Sequence, residues 1–245
     1  MAYISIEMVS GSLGKQVPLK VLMPQLPAGY PKCKCLYLLH GYSDDFSMWT
    51  RRTSIERFVS RYNIAVVMPD GGKSFYTNTA YGDNYYDYIA KELPDAIEAM
   101  FNVSSKPEDR FIGGISMGGY GALKAALRED GKYSAAISLS PVADIRTFAR
   151  ETDWVRWDAI FGSEKAVPDC DDIITLAENC KNRPRIYLAI GTEDFLYKNN
   201  IPVRRLFEKL GYDFHYEEGP GDHNWDFWDY HIEKALEWML GDYSI

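Results

Sequence analysis

The sequence predicts an α/β fold, with a mostly parallel central sheet of about eight strands and helices on both faces. Three observations predict it. Two alternating strands open the chain, and short apolar runs then alternate with helical segments, the order that builds a parallel sheet. Runs such as Cys35–Leu39, Ile64–Met68 and Ile186–Ile190 are continuously apolar, as strands covered on both faces should be. The chain of 245 residues holds no linker, repeat or low-complexity tract. It therefore reads as a single domain over 1–245, a size that one α/β unit can reach.

Each element follows in order. Tyr3 to Val9 alternates as a strand, Ser10 to Lys15 turns, and Val17 to Met23 is the second strand. Cys35–Leu39 is the first buried strand, Phe46 to Arg61 is helical, and Ile64–Met68 is the next strand. Tyr88 to Phe101 is an amphipathic helix that Pro94 either kinks or starts. Arg110 to Ile115 is a strand, Gly119 to Arg128 a helix and Ala135 to Leu139 a strand. An aromatic excursion then runs from Pro141 to about Phe161, too short for a large lid domain. Asp172 to Lys181 is helical, Ile186–Ile190 a strand, Val203 to Leu210 a helix, Phe214 to Glu218 a strand and Phe227 to Leu240 the closing helix.

Composition narrows the partners. The 46% hydrophobic content can fill a sizeable core, and a formal net charge of -8 argues against nucleic acid and against an anionic membrane surface. The first residues show neither a basic segment nor a long apolar one, and no run has the length of a transmembrane helix, so a cytoplasmic location is expected. Cys33 and Cys35 share a face of a strand start, but C-x-C without a second pair is a poor zinc signal. They read, with Cys170 and Cys180, as thiols in a reducing compartment, with a Cys170–Cys180 disulfide unsupported.

The chemistry is expected where the strands end, since ligands of such sheets bind beyond the carboxyl edge. Gly114-Ile115-Ser116-Met117-Gly118 reads G-x-S-x-G between a strand and a helix. Chance supplies such a motif about one time in ten for this length, so its weight comes from that context. Flanking glycines make room for a sharp turn that holds the serine hydroxyl free. A serine is a poor nucleophile at neutral pH and needs a base that an acid orients. Of the four histidines, His223 lies in a Gly/Pro-rich loop after the last strand and is the expected base. His215 within a strand and His231 within a helix read as packing residues, and His40 reads as shaping the loop at Gly41. Asp194 follows the penultimate strand and is the expected acid, ahead of Glu193, Asp144, Asp222 and Asp226. The backbone N–H groups of Met117, after the serine, and of Tyr42, in the loop after Cys35–Leu39, are the expected oxyanion donors.

The stretches Leu38-Leu39-His40-Gly41-Tyr42, Gly114-Ile115-Ser116-Met117-Gly118-Gly119-Tyr120-Gly121-Ala122, Gly191-Thr192-Glu193-Asp194 and Gly221-Asp222-His223-Asn224-Trp225 resemble the esterase D-like α/β-hydrolases. Val67-Met68-Pro69-Asp70 and Tyr81-Gly82-Asp83 are similar to the tributyrin esterase type of bacterial carboxylesterase, and the likeness covers nearly the whole chain. The resemblance implies an α/β-hydrolase fold and a serine hydrolase of short acyl esters, acetyl to butyryl, with triad Ser116, Asp194 and His223 and no metal or organic cofactor. The alternatives on the same triad are a feruloyl or acetylxylan esterase, an S-formylglutathione thioesterase and an acyltransferase. Gly114-Ile115-Ser116 departs from the G-H-S usual in S-formylglutathione hydrolases, which weighs against that reading. A small-molecule ester is the expected partner, and aromatic content of 14% is compatible with a homo-oligomer. Trp49, Tyr76, Tyr81, Trp154, Trp157 and Trp225 are the candidates for a substrate pocket, each weighed against plain packing.

Overall fold

The computed structural model describes residues 1–27 and 29–241. Its frame is an eight-stranded sheet: β1 (Ala2–Ser10), β2 (Lys15–Met23), β3 (Lys34–Leu39), β4 (Ile64–Pro69), β5 (Arg110–Ile115), β6 (Ala135–Leu139), β7 (Arg185–Gly191) and β8 (Phe214–Gly219). The spatial order is β1-β2-β4-β3-β5-β6-β7-β8. β2 is antiparallel to both its neighbours, and every pairing from β4 to β8 is parallel.

Period-two alternation explains the layers. Cys35, Tyr37 and Leu39 of β3 face one core, while Leu36 and Leu38 face the other. The first core is roofed by helices that include Met117–Arg128, Ile173–Asn179 and Tyr197–Leu210, and the second by Met48–Arg52, Ile55–Val59 and Trp225–Leu240. β4, β5 and β6 are buried throughout, whereas edge strand β1 alternates exposed and half-buried positions.

The chain passes from β3 to β4 on one side, then crosses back to β5 on the other side of β3. This reversal opens a crevice at the carboxyl ends of β3 and β5, where Leu39 pairs with Gly114. The loop at His40–Tyr42 and the turn at Ser116 are therefore neighbours in space.

Several helix boundaries differ from expectation. Phe46 to Arg61 is two short helices, not one. The Thr53 hydroxyl donates to Trp49 O and accepts from Ile55 N–H, and Ser54 N–H donates to Asp229 of the closing helix at 2.7 Å. Side-chain bonds to backbone thus break the ladder. The helix expected at Tyr88 begins at Tyr85–Asp87, passes through a π turn at Tyr88–Glu92 and continues as Leu93–Met100. Pro94, which has no N–H to donate, sits in the first turn after the π segment and so marks a start. Pro202 lies inside Tyr197–Leu210, so that helix opens well before Val203. The Pro141 to Phe161 excursion holds two short helices, Ile145–Glu151 and Trp157–Phe161. All four cysteines are free, so Cys170 and Cys180 form no disulfide.

Candidate active site

The turn at Ser116 is left-handed, with φ 52° and ψ −116°. A non-glycine residue there carries strain on the order of 1–3 kcal/mol. A Cβ at Gly114 would lie 2.5 Å from the Gly118 carbonyl, and one at Gly118 would lie 2.5 and 2.6 Å from the Leu39 and His40 oxygens. Only hydrogen fits at either position, which is why the motif needs both glycines. Ser116 N–H donates to Leu139 O at 2.9 Å, anchoring the turn to β6.

Three residues from separate strand ends converge here. His223 Nε2 lies 3.0 Å from Ser116 Oγ, and His223 Nδ1 lies 2.9 Å from Asp194 Oδ2. The other Asp194 oxygen accepts Leu196 N–H at 2.8 Å, and the carboxylate is fully buried. A buried carboxylate on Nδ1 keeps the proton there and turns the Nε2 lone pair to the serine. The imidazole is wedged between Phe195 and Trp228, with ring centroids 4.6 and 4.9 Å away. In this geometry the imidazole can accept the hydroxyl proton as the serine attacks.

The competing acids have other partners. Glu193 faces solvent, bonding the Thr192 hydroxyl and Gly221 N–H, and the latter contact holds its carboxyl below the usual range. Asp144 caps Ile145–Glu151, Asp222 accepts His223 N–H at 2.7 Å, and Asp226 is exposed. Of the other histidines, His215 contacts Glu217 on β8, and His231 is buried against Tyr187, where burial lowers its pKa to about 4.

His40 shapes the oxyanion loop. Gly71 N–H can only donate, so His40 Nε2 accepts it at 2.8 Å, and the proton on Nδ1 is donated to Gly41 O at 2.7 Å. The Gly41–Tyr42 peptide is trans, so Tyr42 N–H points away from that anchored carbonyl. Among the described residues it has no protein acceptor. Met117 N–H opens a helix and so has no carbonyl one turn earlier to bond.

A cavity of about 530 Å³ opens on Ser116 and His223. Of the six aromatic candidates, Trp154 and Trp225 line it. Trp49 and Trp157 are wholly buried in the two cores, their indole N–H groups bonded to Leu39 O and Thr152. Tyr76 is 1% exposed and bonded to His40 O, and Tyr81 is 76% exposed and outside the cavity wall. Phe195, Trp228, Tyr42 and Lys73 also line the cavity, with the 41–44 loop and Asn224. Phe195 follows Asp194 directly, and Trp228 lies one helical turn beyond Trp225, signals that sequence reading passed over.

Comparison with known proteins gives this geometry a context. A family model described as putative esterase matches residues 10–239. The chain belongs to this esterase family. It is 32% identical to an acetyl esterase of Caldicellulosiruptor saccharolyticus, with 98% of each chain covered. Among solved structures it is 35% identical to FphF, a fluorophosphonate-binding serine hydrolase of Staphylococcus aureus with substrate bound, at a TM-score of 0.91 over 98% of this chain and 99% of that one. It is also 35% identical to an S-formylglutathione hydrolase, FrmB, of the same organism, at a TM-score of 0.89 with the same coverage. The fold is that of the α/β-hydrolases, and the family member described here is a carboxylic ester hydrolase. Among the described residues no helix is long and apolar enough to cross a membrane.

Proposed function

We propose that the protein hydrolyses short acyl esters through a serine acyl-enzyme. The observation that carries this reading is the continuous hydrogen-bond path Asp194–His223–Ser116, at 2.9 and 3.0 Å, ending in the aromatic-walled cavity. His223 takes the Ser116 proton as the hydroxyl attacks the ester carbonyl. The N–H groups of Tyr42 and Met117 receive the developing oxyanion, and the Met117 donor gains from the helix start behind it. His223 returns the proton to the departing alcohol, then activates water to release the acid. Phe195, Trp225 and Trp228 line the cavity onto which Ser116 opens, and an aromatic wall beside the serine suits acyl groups of few carbons. The acetyl esterase relative fits that size. Cytoplasmic residence belongs to the same proposal, since four free cysteines suit a reducing compartment.

A p-nitrophenyl ester series from acetate to decanoate tests the acyl preference. Turnover highest at acetate to butyrate and falling about tenfold or more by octanoate is expected, a loss of ~1.4 kcal/mol in transition-state stabilisation. A rise towards decanoate would contradict it. A second reading, hydrolysis of the S-formylglutathione thioester, is favoured by the likeness to FrmB. Thioester turnover exceeding that of p-nitrophenyl acetate would select it.

A further inference from the structure

Tyr76 stands outside both the triad and the cavity wall, yet the molecule is built around it. Phe75 and Tyr76 are consecutive non-glycine residues in the left-handed region, with φ 51° and 50°. Such a pair persists only where its surroundings determine it, and here they do. Ser74 Oγ donates to Gly71 O at 2.6 Å and accepts Tyr76 N–H at 2.9 Å. The buried Lys124 ammonium, on the helix that follows Ser116, donates to Phe75 O at 3.3 Å and Thr77 Oγ1 at 2.7 Å. The Tyr76 ring fills a slot left by two glycines. A Cβ at Gly71 would lie 2.2 Å from one edge of the ring, and one at Gly121 would lie 2.5 Å from the other.

The strained backbone and the slot aim one atom. Tyr76 Oη donates to His40 O at 2.9 Å. Burial pushes the phenol well above the ordinary tyrosine range, so it remains a donor at any assay pH. The next carbonyl, Gly41 O, is held by the His40 ring. Two consecutive carbonyls before Tyr42 are therefore each fixed by a buried donor, so the peptide that carries Tyr42 N–H and the peptide before it are both anchored through their oxygens.

We propose that Tyr76 is a positioning residue for the oxyanion site, its hydroxyl fixing the His40 carbonyl so that Tyr42 N–H stays aimed at the cavity. The inference rests on the serine-esterase reading and assigns within it what keeps that donor aligned before substrate arrives.

The test is Tyr76→Phe, which keeps the ring in its slot and removes only the hydroxyl. Tyr212→Phe is the control, because Tyr212 is also buried and donates to a backbone carbonyl, Ala177 O at 2.8 Å, away from the site. Each variant is assayed with p-nitrophenyl acetate and with its thionoester, in which sulfur replaces the carbonyl oxygen. Sulfur accepts hydrogen bonds poorly, so the thionoester gains little from an aligned donor. In Tyr76→Phe, kcat for the oxygen ester should fall about tenfold, less than the ~10²–10³ of losing an oxyanion donor outright. KM should stay within about threefold, and the oxygen-to-sulfur rate ratio should fall with kcat. Tyr212→Phe should leave the ratio unchanged. Equal losses on both esters, or an unchanged ratio, would overturn the proposal. Ser116→Ala is read in parallel: wild-type turnover there would bring down the serine-esterase reading and this proposal with it, whereas an inactive Ser116→Ala with an unchanged Tyr76→Phe ratio brings down this proposal alone.

Discussion

The two sides of the candidate site are held in different ways. On the oxyanion side, the His40–Tyr42 loop is fixed by buried groups: the His40 ring between Gly41 O and Gly71 N–H, and Tyr76 Oη on His40 O. Backbone approaches backbone closely enough to require glycine on both sides, at Gly118 against the Leu39 and His40 oxygens and at Gly191 against Gly221 O, so the contrast lies in the side chains that fix the loops. On the acid–base side, the loops after β7 and β8 are tied at the surface. Thr192 N–H donates to Gly219 O, Glu193 N–H to Gly221 O, and the exposed Glu193 carboxylate accepts Gly221 N–H. The difference matches the work of each side. Oxyanion donors act by being in place before charge develops, and any reorientation loses their benefit. An imidazole that moves protons in both directions tolerates a softer mounting, provided its carboxylate is buried and fixed, as Asp194 is.

The strongest way to break the comparison is Gly118→Ala. Its Cβ would meet the Leu39 and His40 carbonyls at 2.5 and 2.6 Å, both backbone atoms that cannot swing aside. Overpacking of this kind costs ~1–3 kcal/mol, and a shift of the donors by about 1 Å costs roughly a hundredfold in rate. Calorimetry and kcat on one sample check both; near-wild-type activity would show that the oxyanion side is softer than described.

The acid–base side should answer to pH. His231, on the closing helix behind the His223 loop, faces Tyr187 Oη, Glu217 and Lys234 and packs on Phe227 and Tyr230. Burial lowers its pKa from 6.5 to about 4. The unfolded chain therefore binds more protons between those values, and stability falls as pH drops from about 6.5 towards 4. The loss is on the order of 2–3 kcal/mol from this group. Urea unfolding at stepped pH should show a shallower acid decline in His231→Gln than in wild type; parallel curves would remove His231 from the account.

The smallest effect is expected for Glu193→Gln. The amide oxygen can still accept Gly221 N–H, so kcat should stay within about threefold and the melting temperature within about 2 °C. A hundredfold loss of kcat would mean that this side is as stiff as the other.

The strands and the order Ser116, Asp194, His223 were legible because each residue follows an apolar run in a glycine-marked loop. What the sequence hid depends on contacts distant along the chain. The break at Thr53–Ser54 is completed by Asp229, and the start of Tyr197–Leu210 is masked by Pro202. The aromatic residues show the limit most clearly. Trp154 and Trp157 are three positions apart, yet Trp154 is 56% exposed on the cavity wall and Trp157 is wholly buried. Trp49 and Trp225 touch edge to face, yet only Trp225 reaches the cavity. Tyr76 reads from the sequence as a pocket candidate, yet it is buried off the cavity wall, and its left-handed backbone and two-glycine slot are encoded by no local pattern.

The most direct test of the central claim is mass spectrometry of the protein quenched during turnover of p-nitrophenyl acetate, with peptide mapping. The account predicts a single acetyl group on Ser116, absent together with turnover in Ser116→Ala, while that variant melts within a few degrees of wild type. Acetyl on another residue, or turnover that survives in Ser116→Ala, would contradict it.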